Sequence, residues 1–331
     1  MRSGNRRRAC RDFRFTDEEQ PSVSSVTDVD VGAYLAARGR LVDDALEAAL
    51  PAADRPPQIL HQAMRYCVLG GGKRLRPVLV VASAEACGGT PQAVLPVACA
   101  VELIHAYSLI HDDLPAMDDS DTRHGRPTCH IAFGEAIAIL AGDALHALAF
   151  HLITRASPGC GSERVLAAAQ EIAGAIGTDG MVGGQVLDLL GEGRTFPAPS
   201  PGLPVGSIAE FVPQIHVRKT AALIRASVRA GAMLSGGEPA TLEALSAYGE
   251  QVGLAYQIID DVLDVVGDER ALGKHAGSDA AKATYPAAFG VAGSREIAAR
   301  LTDEAVAALR PLGGRGALLQ GLAHLLLVRE R

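Results

Sequence analysis

Two clusters of aspartates interrupt stretches of sequence that otherwise have the pattern of buried apolar helices. The clusters are Asp112, Asp113 and Asp118, and Asp260, Asp261 and Asp264. Removing a carboxylate from water costs several kcal/mol even after the surroundings relax, so each cluster needs basic partners or a bound metal. Two clusters of similar design in one chain predict a single shared site. The alternative is that each cluster is a solvated helix end.

The spacing within the clusters indicates which metal would bind. Asp260 and Asp264 are four residues apart and share one face of a predicted helix. Asp112 and Asp118 are six apart, but Pro115 should end the preceding helix and let the chain bring Asp118 back toward Asp112. Neither cluster offers Cys or paired His at zinc spacing. Oxygen ligands alone are typical of Mg2+, so the sequence predicts a magnesium site.

Lysine is used sparingly in this chain. Only four of the 31 basic residues are lysines, namely Lys73, Lys219, Lys274 and Lys282. A compact ammonium group acts as a point charge toward phosphate, whereas a planar guanidinium fits differently. Codon bias that leaves four surface lysines is the alternative. Together with the aspartates, the lysines predict a clamp that holds phosphate between Mg2+ and basic side chains.

Several segments carry a resemblance to a known family, and they follow the family's order. They are 71–77, 105–127, Gly183-Gly184-Gln185 with Asp188, Lys219-Thr220, Gln257 with 260–264, and 273–286. The chain resembles the trans-isoprenyl diphosphate synthases over roughly residues 40–331, and within them the bacterial farnesyl diphosphate synthases. A lone DDxxD motif would be weak evidence, but two aspartate motifs combined with ordered basic motifs are a specific signal.

The resemblance implies a head-to-tail condensation. Two or three Mg2+ ions held by the aspartates would bind the diphosphate of dimethylallyl or geranyl diphosphate and help it to leave. The double bond of isopentenyl diphosphate would then attack the allylic cation, and loss of a proton would give the longer allylic diphosphate. The protein would have to neutralise the leaving diphosphate, hold the alkene close and exclude water.

The resemblance also implies a role for each matching residue. The implied metal ligands are Asp112, Asp118 and Asp260, with Asp113, Asp261 and Asp264 as support or further ligands. The implied allylic diphosphate side comprises Arg123, Lys219, Thr220, Gln257, Lys274 and Lys282. The implied isopentenyl diphosphate side comprises Lys73, Arg76, His105 and His124. Without the family, a lone histidine such as His105 is more often a core residue, although it lies two helical turns before Asp112 on the same face.

Three features depart from the family pattern. His124 stands where a second consecutive arginine is usual, so we expect a bound diphosphate to raise the pKa of His124. The segment between Asp279 and Lys282 is short, which puts the role of Lys282 in question. The stretch 196–206 carries four prolines and has the composition of an extended surface loop.

Tyr107 bears on the length of the product. It precedes Asp112 by five residues and matches the family position where an aromatic ring blocks growth beyond fifteen carbons. The resemblance therefore implies farnesyl diphosphate as the main product. Alternatives are a geranylgeranyl diphosphate synthase, a terpene cyclase, a metal phosphohydrolase at His111-Asp112, and a prenyl synthase subunit without catalysis. Lys73 and Arg76 argue against the cyclase, and the Asp260 cluster argues against both the phosphohydrolase and the subunit.

Composition and periodicity limit the possible folds and the possible cellular compartments. Helical periodicity rich in Ala and Leu begins at Val31, so we expect an all-α fold, with residues 31–331 forming one large helical bundle around a central cavity. Residues 1–30 are expected to be a disordered tail. A formal charge of −7 argues against nucleic-acid binding, and six cysteines without metal or redox spacing favour a cytoplasmic protein. No membrane span is expected, and the resemblance implies a homodimer.

Overall fold

The structure is a computed structural model that describes residues 30–156, 160–196, 207–266 and 282–329. The fold is all-α, as the sequence predicts. Its long helices are α1 (Val31–Ala49), α2 (Gln58–Val68), α3 (Leu75–Ala86), α4 (Pro91–Asp112), α6 (Glu135–Thr154), α7 (Ser162–Ile176), α8 (Met181–Gly191), α9 (Ile208–His216), α10 (Ala222–Leu234), α11 (Pro239–Val266), α12 (Tyr285–Ala308) and α13 (Ala317–Leu327). Shorter elements are α5 (Cys129–Phe133), a π-helical turn (Val217–Ala221), a 3-10 segment (Arg310–Gly316) and two short strands. The expected tail, the proline-rich stretch from residue 197 and Lys274 lie outside the described residues.

Helices α4, α10 and α11 form the centre of the bundle. Helix α4 packs against α3 and α6, while α10 packs against α3, α7 and α11, and α11 against α12. Helix α4 is apolar around most of its circumference, which is the pattern of a helix covered on all sides. Packing against several neighbours fixes the position of each central helix, and therefore the position of the side chains at its end.

Both aspartate clusters lie at the C-terminal ends of central helices. Helix α4 ends at Asp112, and Asp260, Asp261 and Asp264 occupy the last two turns of α11. A helix C-terminus carries partial negative charge from its unpaired carbonyl groups. Carboxylates added there raise the negative potential further, so both ends attract cations.

A two-stranded hairpin follows the first cluster. Strand β1 (Thr122–Arg123) pairs with β2 (Arg126–Pro127), and the turn between them is His124-Gly125. Both turn residues have positive φ, 51° and 72°, as tight two-residue hairpins require. Histidine tolerates this conformation better than most side chains, and the turn places Arg123 and His124 beside α4.

Two helices of the described residues, α4 and α6, are long and apolar enough to cross a membrane by length and composition alone. Helix α4 is a core helix of the bundle, with most of its side chains covered by neighbours. Helix α6 is covered on one side and carries Ile139 and Leu140, 44% and 52% exposed, on another. The absence of a membrane span stays a prediction.

Candidate active site

The loop after α4 returns as predicted. After Pro115, the backbone amide of Asp118 donates to the carbonyl oxygen of Asp112 at 2.8 Å. This hydrogen bond brings the backbone of Asp118 back beside Asp112. Arg194, just after α8, donates to the carbonyl oxygen of Ala116 at 3.0 Å and fixes the loop from outside. The sequence offers no signal for Arg194, because its role depends on how α8 docks.

The three aspartates of the first cluster have different partners. Asp113 is 3% exposed and forms a bidentate ion pair with Arg123, with an Nη2 to Oδ1 distance of 2.7 Å. Asp118 accepts a hydrogen bond from Lys282 at 2.9 Å through Oδ2, while its Oδ1 is buried without a hydrogen-bond partner. Burial raises the pKa of Asp112 to about 6, against the opposing effect of Lys219. Asp113 therefore orients Arg123, whereas Asp112 and Asp118 keep oxygen atoms available.

Lys219 lies in the π-helical turn between α9 and α10. Such turns widen the helix by one residue and are frequent at functional sites. Its Nζ donates to Asp188 at 2.6 Å, and Asp112 is the strongest of the nearby charges that raise its pKa. Gly184 makes this possible, since a Cβ there would lie 2.3 Å from the backbone nitrogen of Lys219. The motif Gly183-Gly184-Gln185 thus lets α8 approach the lysine turn closely.

A chain of hydrogen bonds connects the lysine turn with the second aspartate cluster. Thr220 Oγ1 donates to Gln257 Oε1 at 2.8 Å, and Gln257 Nε2 donates to Asp261 Oδ1 at 2.9 Å. The predicted site residues Thr220 and Gln257 are therefore in direct contact. Thr220 also directly follows Lys219 in the π-helical turn. Asp261 joins them as a third member that spacing alone did not predict.

Asp260 is paired with a residue from the end of the chain. Arg329 Nη2 lies 2.6 Å from Asp260 Oδ1, and the guanidinium stacks over Tyr256 at 3.9 Å from the ring centre. The Arg329 side chain is 8% exposed, while that of Asp260 is 38% exposed. Asp264 is buried, unlike Asp260, although the two lie one turn apart. From the sequence, Arg329 was considered only as an alternative to His124 for covering a diphosphate, and its pairing with Asp260 was not predicted, because a lone arginine has no motif.

The basic residues predicted to bind isopentenyl diphosphate lie together. His105 has a pKa well below its usual value, first because of burial and then because Arg76 and Arg123 are close. Arg76 is 8% exposed and its Nε is buried without a hydrogen-bond partner. Burial, Arg123, Arg74 and Lys73 lower the pKa of His124. Arg74 is paired with Asp43 and Glu102 and Arg123 with Asp113, so these cations are held in place, and a group of fixed positive charges suits a polyanion such as a diphosphate.

The first cluster fits the predicted magnesium site. No three His, Cys, Asp or Glu side chains converge on one metal position within the described residues. Mg2+ needs only one or two carboxylates, since waters and substrate phosphates fill the other positions. The unpartnered Oδ1 of Asp118 and the buried Asp112 carboxyl, close enough to Asp118 to raise its pKa, are suitable donors.

Gly184→Ala should damage the site without touching any charged side chain. The added methyl group would clash with the Lys219 backbone, so we expect lower thermal stability and a fall in turnover of at least about tenfold. Gly174→Ala is the matched control, because a Cβ at Gly174 in α7 would meet nothing within 4 Å. Thermal denaturation and steady-state rates check this, and equal behaviour of the two variants would contradict it.

His124 should make isopentenyl diphosphate binding pH-dependent. An anion binds better to the protonated imidazole, so affinity is highest below the pKa of the free protein and falls as pH rises through it. Because that pKa is lowered from 6.5, the rise in KM should begin below pH 6.5. From the sequence alone, with an ordinary imidazole, the rise in KM was expected between about pH 6.5 and 8.5. His124→Arg should flatten the profile and lower KM at pH 8. The KM of the allylic substrate over the same range is the control, and identical profiles for both proteins would remove His124 from the site.

Known proteins resemble this chain in sequence and in fold. The sequence profile of the family described as Polyprenyl synthetase matches residues 57–307. Large subunit 1 of the heterodimeric geranylgeranyl pyrophosphate synthase of Arabidopsis thaliana is 45% identical over 295 residues, which cover 88% of this chain and 76% of that protein. The geranylgeranyl diphosphate synthase of Cyanophora paradoxa is 42% identical, over 84% of this chain and 90% of that protein. The crystal structure of an FPP/GFPP synthase from Zymomonas mobilis gives a TM-score of 0.77 at 36% identity, over 90% of this chain and 99% of that one.

Proposed function

Because the chain belongs to the polyprenyl synthetase family, we propose that it is a Mg2+-dependent trans-prenyltransferase that joins isopentenyl diphosphate to an allylic diphosphate and releases pyrophosphate. The observation that carries this proposal is the arrangement of charge in the site. Asp112 and Asp118 face Lys219 and Lys282, so carboxylates and ammonium groups are available to the same diphosphate. A separate group of positive charges around His105 is available to the second diphosphate.

The side chains have distinct tasks in this reaction. Lys219 and Lys282 would neutralise charge that develops on the leaving diphosphate, and they are held ready by Asp188 and Asp118. Lys73 and Arg76 would hold isopentenyl diphosphate so that its double bond faces the allylic carbon, while Arg123, which lies near Asp112 and Asp118, would serve the allylic diphosphate. Buried apolar residues of α4 exclude water that would quench a cation. Mg2+ held by Asp112, Asp118 and Asp260 would supply additional positive charge for the departing pyrophosphate.

The number of carbons in the prenyl product is a separate question, and two observations bear on it. The relatives from Arabidopsis thaliana and Cyanophora paradoxa are geranylgeranyl diphosphate synthases by name, which favours the C20 product over the farnesyl product expected from the sequence. Tyr107 favours C15, because its ring is buried in α4 and stacks on His146 of α6 with centroids 4.7 Å apart. We therefore propose geranylgeranyl diphosphate as the product, with farnesyl diphosphate as the second candidate.

Tyr107→Ala should lengthen the product whichever of the two is formed. Residues before Asp112 lie progressively farther from the aspartates, by about 1.5 Å each, so a growing prenyl tail would meet the Tyr107 ring. Chromatography of the dephosphorylated products should show a shift of at least one isoprene unit. Tyr34→Ala, an aromatic truncation on α1, is the control and should leave the length unchanged. An unchanged product from Tyr107→Ala would make Tyr107 an ordinary core residue.

The function is tested by incubating the purified protein with dimethylallyl and isopentenyl diphosphates. Mass analysis should give a prenyl diphosphate longer than ten carbons and one pyrophosphate per condensation, and EDTA should abolish both. A terpene cyclase would instead convert an allylic diphosphate alone into a hydrocarbon. A subunit without catalysis would give no turnover.

We propose further that the protein is a cytoplasmic homodimer. The exposed apolar side chains Ile139 and Leu140 on α6, with Ile131 on α5, form a surface that a second copy could cover. The five cysteines of the described residues are free thiols, which suits a reducing compartment. Sedimentation of the wild type and of Leu140→Glu tests the dimer, since a monomeric wild type would contradict it.

A further inference from the structure

Arg194 connects the end of α8 with the loop that carries Asp118. Its Nη1 donates to the carbonyl oxygen of Ala116 at 3.0 Å, and its Nη2 donates to that of Met117. Its Nε lies 2.9 Å from Oε2 of Glu192, so this carboxylate orients the guanidinium. The planar guanidinium presents its donors in a rigid fork, which can bond two neighbouring acceptors at once. Arg194 therefore fixes two successive carbonyl groups of the loop.

The peptide group between Met117 and Asp118 is hydrogen-bonded at both ends. Its carbonyl oxygen accepts from Arg194, and its amide, that of Asp118, donates to the carbonyl oxygen of Asp112 at 2.8 Å. A peptide group is planar, so hydrogen bonds on opposite sides fix its orientation and with it the Cα of Asp118. Lys282 then holds Oδ2 of Asp118 at 2.9 Å, while Oδ1 is buried with no hydrogen-bond partner among the described residues. This oxygen is therefore held in one place by the protein itself.

The end of α8 directs Arg194 toward this loop. Gly193 has a φ of 78°, and its amide donates to the carbonyl oxygen of Leu190 at 3.0 Å. The amide of Arg194 donates to the carbonyl oxygen of Leu189 at 3.2 Å, which completes a glycine-terminated helix cap. Glycine adopts a positive φ without the steric cost that a Cβ adds. Arg194 is thus the first side chain after the turn that ends α8.

Helix α8 also holds a cation of the candidate site. Asp188, six residues before Arg194, accepts a hydrogen bond from Lys219 Nζ at 2.6 Å. The same helix therefore fixes the ammonium group of Lys219 and, through Arg194, the loop that carries Asp118. Groups that act on one diphosphate must keep a constant separation, and α8 provides it.

We propose that Arg194 is a positioning residue for the candidate Mg2+ site, which acts on Asp118 through the backbone of the loop. The inference rests on the proposed function, in which Asp118 is a metal ligand. Ala116 is exposed, so water can take the place of the guanidinium when Arg194 is removed, and the fold should persist. What is lost is the fixed orientation of the peptide group before Asp118. Removing a residue that orients a metal ligand typically costs about 10- to 100-fold in metal affinity or activity.

Arg194→Met tests the inference in the protein without metal or substrate. Methionine keeps a long side chain and removes every hydrogen-bond donor. Hydrogen exchange followed by mass spectrometry should show faster exchange of the amides in the segment 114–121, because the loop opens locally more often. Exchange in α1 should not change. Arg155→Met is the matched control, since Arg155 is an exposed arginine that directly follows α6, and it should exchange as the wild type does.

Stabilisation by Mg2+ supplies the second measurement. At a fixed concentration of inorganic pyrophosphate, the melting temperature of the protein should rise as Mg2+ is added, and Arg194→Met should need about tenfold more Mg2+ for the same rise. In steady-state assays the Mg2+ concentration for half-maximal rate should rise by a similar factor, while KM for isopentenyl diphosphate should not change. Arg194→Lys should recover part of the loss, because an ammonium group can still bond one carbonyl oxygen. Gly193→Ala should weaken Mg2+ binding as well, since its Cβ meets nothing within 4 Å but the positive φ disfavours alanine.

Three results would overturn the inference: wild-type exchange of the segment 114–121 in Arg194→Met, an unchanged Mg2+ requirement in that variant, or a wild type that Mg2+ and pyrophosphate do not stabilise. If Arg194→Met does not fold, Arg194→Lys and Gly193→Ala decide the matter by the same two measurements. A wild-type protein that forms no prenyl diphosphate would refute the proposed function instead. Hydrogen exchange and melting temperatures need no turnover, so the two failures are distinguishable.

Discussion

Asp112→Ala and Asp260→Ala should each lower kcat at least about 10³-fold, which corresponds to about 4 kcal/mol of lost transition-state stabilisation. Asp112 ends α4 and Asp260 lies near the end of α11, so each variant removes a carboxylate that would hold Mg2+ on one side of the diphosphate. The fold should persist. The carbonyl oxygen of Asp112, not its side chain, accepts the hydrogen bond from Asp118, and Asp260 is partly exposed.

Steady-state kinetics with saturating Mg2+, circular dichroism and thermal denaturation check this expectation. Asp44→Ala, an exposed aspartate on α1, is the matched control and should retain wild-type turnover. If either site variant kept near-wild-type kcat with an intact fold, the two clusters would not act on one diphosphate. Asp260→Ala also releases Arg329 from its ion pair, so Arg329→Gln is needed to separate the loss of the carboxylate from that of its partner.

Lys219→Met should produce the second large effect, a fall in kcat of about 10²- to 10³-fold. Methionine keeps the length of the side chain and removes the charge that faces Asp112 and Asp188. Asp188 would then be a buried carboxylate without its ion pair, so we also expect a loss of about 3 kcal/mol in the free energy of unfolding. Arg218→Met is the control, because Arg218 is the adjacent cation but lines a different pocket, together with Asp179 and Glu250.

A double variant distinguishes the two effects of Lys219. Lys219→Met combined with Asp188→Asn removes both charges of the buried pair, so much of the lost stability should return. Turnover should not return, since the cation needed by the leaving diphosphate is still absent. Denaturant unfolding and kinetics on the same preparations check this, and recovery of kcat in the double variant would show that Lys219 serves only to neutralise Asp188.

The local geometry of the site was predictable from the sequence because it depends on local patterns. Spacing placed Asp260 and Asp264 on a helix, now α11, and the position of Pro115 predicted the return of Asp118 toward Asp112. The all-α fold followed from helical periodicity, and the family from the order of the motifs. Lys274 matched a motif but lies outside the described residues, so its role stays a prediction.

Which side chains pair with one another was decided only by the tertiary structure. Lys282 and Asp118 are 164 residues apart in sequence and meet only in the folded protein, where the residues just before α12 lie against the loop after α4. Sequence grouped Asp113 with the metal ligands, whereas the hairpin directs Arg123 onto both of its oxygens. Asp260 and Asp261 have the same residue type and adjacent positions, yet one faces Arg329 and the other is enclosed by Gln257 and Tyr285. A helix turns by about 100° per residue, so neighbours in sequence face different helices, and only docking determines which helix each one meets.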